Sequence, residues 1–154
     1  MKYSILALLL TLTSACAAPG SSGEPGDAAL KYLLSKSDLV VCGKITNMMV
    51  FTTERTIYLF DCQIREVLKG DRARRGQTIP VHISRVEDPK SKGNPLLKEG
   101  SECILFLRNA QPPAKPPWRE ADYWFAVQAH SDSMVSVLKR LAAEEQSRTK
   151  GLSR

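Results

Sequence analysis

Five short apolar stretches, each bounded by Gly, Pro or charged residues, follow one another between Leu39 and Gln128, and they restrict the fold more than any other feature of the chain. Thr56 to Val67 is the clearest: Tyr58, Phe60, Cys62 and Ile64 recur at period two, the mark of a strand with one buried face. Leu39 to Ile45 is rich in β-branched residues and continues toward Val50 and Phe51, with Gly43 marking a bend or a close approach. Thr52 to Arg55 supplies the turn between these two strands. Gln77 to Val86 puts Ile79, Val81 and Ile83 on one face and Pro80 on the other, which suits an edge or a bulge. Glu102 to Arg108 is a compact apolar fourth strand. Ala121 to Gln128, with Tyr123, Trp124 and Phe125, is the predicted fifth. Asp27 caps a helix running through Ser35, and Asp132 to Gln146 forms a closing helix with Met134, Val137, Leu138 and Leu141 at helical spacing. The predicted fold class is mainly β: a five-stranded antiparallel OB-like barrel with a short N-terminal helix and a C-terminal helix. Closure is favoured because it leaves no bare strand edge. An open meander packed on the last helix is the competing arrangement.

The first residues have a different job. Met1-Lys2-Tyr3 precedes an apolar run from Ile5 to Leu12 and the small residues Thr13 to Ala18, the pattern of a secretory signal peptide too short to span a bilayer as a helix. Two cleavages fit. Ser14-Ala15-Cys16 resembles a bacterial lipobox, in which Cys16 is lipidated, although Thr13 stands where Leu is usual. Cleavage after Ala17 satisfies the small-x-small rule and leaves no anchor. The domain plan is then signal peptide 1–16, flexible tether 17–26, OB-like domain 27–146 and a fraying tail 147–154.

The 154-residue chain carries a net charge of +6, and the densest basic stretch is Lys69 to Arg75. Arg72, Arg74 and Arg75 are candidate contacts for phosphates or an anionic surface, against the plainer reading of a solvated loop. Cys42, Cys62 and Cys103 stay in the body with no Cys-x-x-Cys, which leaves little support for a structural zinc site. Alternation puts Cys62 with Phe60 and Ile64, and Cys42 opposite Val41 and Ile45, so buried free thiols are expected rather than a bridge between these two.

Ser37-Asp38-Leu39-Val40-Val41-Cys42-Gly43-Lys44-Ile45, Glu66-Val67-Leu68-Lys69-Gly70-Asp71 and Leu97-Lys98-Glu99-Gly100-Ser101-Glu102-Cys103-Ile104-Leu105-Phe106-Leu107 carry a resemblance. They look like the bacterial exported proteins whose domain is similar to tissue inhibitors of metalloproteinases and netrin-like modules. The resemblance covers about residues 37 to 128. It implies an OB barrel outside the cytoplasm with no assigned chemistry. Inhibition by zinc chelation does not transfer readily: the animal inhibitors begin Cys-x-Cys, whereas Cys16 is followed by Ala17 and Ala18.

No catalytic residues, metal ligands or cofactor are predicted. His82 and His130 are the only histidines and lie in no metal-binding spacing, and no nucleophile elbow or P-loop is present. Trp118 and Arg119, in a loop stiffened by Pro112, Pro113, Pro116 and Pro117, are the candidate exposed contacts. Thr53 and Arg55, in the turn between the first two strands, are the others. The expectation is a non-catalytic exported binding module at the cell envelope, with an envelope or extracellular protein as partner and the membrane reached through Cys16. A protease inhibitor and a glycan or nucleic-acid binder are the alternatives, and export counts against nucleic acid.

Overall fold

The computed structural model describes residues 25–86, 94–110, 117–122 and 126–151, with side chains up to residue 148. Helix α1 (Asp27–Lys36) leads into β1 (Leu39–Thr52), β2 (Thr56–Lys69), β3 (Thr78–Arg85), β4 (Glu102–Asn109), β5 (Trp118–Glu120), β6 (Val127–Ala129) and α2 (Asp132–Gly151). The protein is mainly β, and five strands close into an OB-like barrel in the order β1-β2-β3-β5-β4, with β4 returning to β1. Every pairing is antiparallel except one. Val81 and His82 of β3 run parallel to Trp118 and Arg119 of β5.

Strand composition follows from what lies on each face. On β2 and β3 the core side chains Tyr58, Phe60, Cys62, Ile64, Ile79, Val81 and Ile83 alternate with more exposed neighbours, because one face fills the barrel and the other meets water. β1 and β4 do not alternate. Leu39 to Cys42 and Cys103 to Leu107 are buried without interruption, because α1 and α2 cover the outside of the barrel there. Val40, Cys42, Ile104 and Phe106 face Leu30, Leu33, Leu34, Met134, Leu138 and Leu141 in a second apolar cluster. Lys69 ties the helices to β2: its ammonium donates to the Leu34 carbonyl (2.6 Å) and pairs with Glu145 (3.0 Å).

Three expectations change. Gly26, not Asp27, is the cap residue of α1, and Asp27 instead pairs with Arg140 of α2 at 2.7 Å. The fifth stave is not the continuous strand Ala121 to Gln128. The Phe106 carbonyl accepts from Ala121 N–H while the Phe106 N–H donates to the Ala126 carbonyl, so the ladder beside β4 breaks and resumes as β6. Barrel closure falls to Trp118–Glu120. Finally, α2 runs through Gly151, five residues beyond Gln146, where the closing helix was expected to end. Cys16, the leader, Pro112, Pro113, Pro116 and Tyr123 to Phe125 lie outside the described residues.

Candidate interaction surface

β1 and β2 are 14 residues each, against eight for β3 and β4, so their shared tip projects past the closed part of the barrel. Pairing of β1 with β4 stops at Lys44. The next donors and acceptors on that edge of β1 are met by the turn before β4. Ile45 N–H donates to the Ser101 carbonyl, and the Ile45 carbonyl accepts from Gly100 N–H, both at 2.9 Å. The Glu99 carboxylate then accepts from the backbone N–H of Asn47 (3.2 Å) and of Met48 (2.9 Å). Asn47 has φ of 52°, a left-handed conformation that its short polar side chain tolerates, and its amide donates to Asp61 at 2.9 Å. This bulge lets Met48 reach the core and re-aims the rest of the strand.

Beyond the bulge the hairpin is apolar and exposed. Met49, Val50 and Phe51 are 55%, 51% and 50% accessible. Met49 stands opposite Leu59 and Phe51 opposite Ile57 on the outer face, next to His82 and Ser84 of β3. Cross-strand apolar pairs stabilise a hairpin, yet these keep half of their leading residues in water. The turn is closed by Thr53 N–H donating to the Arg55 carbonyl at 3.0 Å, with both side chains exposed. Thr53 and Arg55 thus stand at the end of an apolar blade.

Trp118 does not stand in an exposed loop. It is 7% accessible and belongs to the barrel core, placed there because β5 pairs Trp118 with Val81 and Asn109; a surface-contact role for its indole is corrected accordingly. Arg119 is its outward neighbour beside His82, and its Nε is buried with no hydrogen-bond partner among the described residues. Burial and the nearby Arg119 charge hold His82 below its usual pKa, with Glu120 opposing. Glu120 accepts from the Ser84 N–H (3.2 Å) and lies 3.8 Å from Arg85, which is itself 7% accessible, so a nearly dry ion pair caps one end of the barrel.

The three arginines of the basic stretch separate. With its amide oxygen turned toward Arg72, Asn109 accepts from Arg72 Nη1 at 2.7 Å, which draws that side chain to the start of the β4–β5 connection. Arg74 and Arg75 instead line a hollow of about 620 Å³ with Arg65, Glu66 and His130. It lies at the end of β2 remote from the hairpin.

Cys42, Cys62 and Cys103 are buried free thiols, and burial pushes Cys42 and Cys62 up to about 11 and about 12, with Cys103 raised further. Their ionised forms are suppressed, which is the reverse of an activated nucleophile. Among the described residues no group of three or more His, Cys, Asp or Glu side chains is placed to hold a metal ion. No protein-family model and no curated protein matches the chain.

Sequence reasoning missed Met49 and Phe51 as exposed residues, and Arg65 and His130 as neighbours of Arg74 and Arg75. The only local signal for Arg65 was its place on the outward side of the β2 alternation.

Proposed function

We propose that the chain is a non-catalytic exported binding module of the bacterial cell envelope, which engages a partner protein through the outer face of the β1–β2 hairpin. The observation that carries this reading is the exposure of Met49 and Phe51 opposite Leu59 and Ile57, on a blade held by Glu99. Half-exposed Met and Phe beside further apolar residues form the kind of surface that a partner covers, and Met in particular adapts to the shape it meets. Thr53 and Arg55 supply the polar rim at the turn. Two further strands of support come from the sequence: the netrin-like and metalloproteinase-inhibitor-like resemblance, and a leader pattern that favours export, with Cys16 as the proposed lipid anchor.

The test is cross-linked capture from envelope fractions with the full chain and with a Met49→Ser/Phe51→Ser variant. The expected outcome is one dominant partner, captured at about tenfold lower yield by the variant, a loss of about 1.4 kcal/mol. The melting temperature should not fall. Equal capture by the variant would defeat the hairpin assignment. Intact-mass measurement of protein taken from its own membranes checks the anchor, since an unmodified mature chain would remove Cys16 from the proposal.

A further inference from the structure

The hollow at the far end of β2 is independent of the hairpin and has the chemistry of an anion site. Arg74 and Arg75 sit in the turn between β2 and β3, Arg65 projects from the outer face of β2, and His130 follows β6. A second hollow of about 310 Å³ shares Arg65 and Arg75 with the first, so the same two guanidiniums border both.

Glu66, the carboxylate that lines the hollow, and Glu102 beside it are already engaged. Glu66 pairs with Lys139 at 2.7 Å, and Glu102 pairs with Arg65 at 2.7 Å, which fixes the direction of that guanidinium. Arg74, Arg75 and His130 have no hydrogen-bonded or ionic side-chain partner among the described residues. Two cationic side chains that line one hollow, with no carboxylate partner among the described residues, favour an anion there.

The turn that presents them is closed on itself and pinned to β2 at its Gly76–Gln77 end. Gly76 N–H donates to the Ile64 carbonyl and Ile64 N–H to the Gln77 carbonyl, both at 2.8 Å. Gln77 N–H donates to the Arg74 carbonyl, and the Gln77 side-chain oxygen accepts from Arg74 N–H, both at 3.1 Å. Gly76 supplies the positive φ of 83° that this geometry requires. The backbone under the two arginines is therefore ordered before any ligand arrives, which lowers the entropic cost of binding.

We infer that this hollow is a phosphate-binding site, in which Arg74 and Arg75, with Arg65 and His130 at its wall, take a phosphoryl group on a soluble phosphate compound or a phosphomonoester lipid headgroup. The planar guanidinium matches phosphate oxygens two at a time, and the two forks of Arg74 and Arg75 suit a multiply charged group better than a carboxylate.

Calorimetric titration of the full chain with inorganic pyrophosphate tests the site. Saturable 1:1 binding is expected, weakened about tenfold by Arg74→Gln or Arg75→Gln, since each removes hydrogen bonds to a charged group. Arg55→Gln removes the same charge at the remote hairpin tip and should change affinity by less than about twofold, and Arg72→Gln, whose guanidinium is held by Asn109, should weaken binding less than either site substitution. Unchanged melting temperatures will separate lost binding from lost folding. Co-sedimentation with phosphatidic acid vesicles, against phosphatidylcholine vesicles, distinguishes the sources. Vesicle binding lost in an Arg74→Gln/Arg75→Gln variant assigns the headgroup, whereas pyrophosphate binding without vesicle binding assigns a soluble phosphate compound. Binding of neither, or equal weakening by all four substitutions, overturns the site.

Discussion

Gly43 lies in β1 beside Ile64 on β2 and Cys103 on β4, facing the barrel interior where Cys62 also points. A β-carbon at Gly43 would run into Cys62 Sγ and come within 2.9 Å of the Gln63 carbonyl oxygen, so the missing side chain makes room for a thiol. Gly43→Ala is expected to cost about 1–3 kcal/mol through overpacking. A second change, Cys62→Ala, should restore only part of that loss, because the backbone oxygen cannot withdraw. Urea unfolding of the single and double variants measures both, and full restoration would show that the oxygen contact is harmless. The same thiols set an alkaline limit. An unfolded cysteine ionises near 9, whereas Cys42 and Cys62 keep their protons to about 11 and about 12. Above pH 9 the unfolded chain therefore sheds protons that the folded chain retains, and stability falls as pH rises; below 9 the thiols contribute no slope. Each suppressed thiol adds to that downward slope across the window. Unfolding free energies at pH 8 and 10 should diverge less in Cys62→Ala than in the parent, and an identical divergence would remove Cys62 from the explanation.

At the level of elements, the hairpin depends on one carboxylate. Glu99 serves two backbone donors at the bulge, and Glu99→Ala leaves them to water in an exposed setting, at a cost of about 1 kcal/mol. The expected signature is faster amide exchange at Met48 to Phe51 with little change in the barrel, and uniform exchange would refute a local role. How readable each element was follows from how local its cause is. β2 was plain because its alternation records a single solvent boundary along its own length. The unbroken apolar runs Leu39 to Cys42 and Cys103 to Leu107 record two covered faces, a fact about helices far away in the chain. The fifth stave was misplaced because Tyr123-Trp124-Phe125 is a stronger apolar signal than Trp118-Arg119-Glu120, whose strand character comes from a parallel neighbour that periodicity cannot reveal. Met49 and Phe51 were unreadable for a related reason. Apolar residues in a strand usually mark a buried face, and their exposure depends on β4 ending its pairing at Lys44. Thr53 and Arg55, by contrast, were found correctly as turn residues from the break in the pattern.

For the molecule as a whole, two apolar clusters share the walls of β1 and β4, so barrel and helices should unfold together. Leu138 is fully buried at the centre of the helical cluster, and Leu138→Ala is expected to cost about 2–5 kcal/mol while keeping a single transition. Two separated transitions would show that α2 is an accessory to an autonomous barrel. Truncation after Ser131 should give the stronger phenotype, exposing Val40, Ile104 and Phe106 and driving association that light scattering detects.

Closure through β4 also orders events in time. A chain made from its N-terminus can zip β1 to β2 and β2 to β3 by neighbouring turns, but the far side of β1 waits until residues 102–107 have been added. During that interval Val40 and Cys42 have β2 and α1 as neighbours, but neither the fourth strand beside them nor the last helix above. A chain that emerges N-terminus first, from a ribosome or across a membrane, therefore carries an unfilled strand edge from the completion of β3 until residues 102–107 arrive.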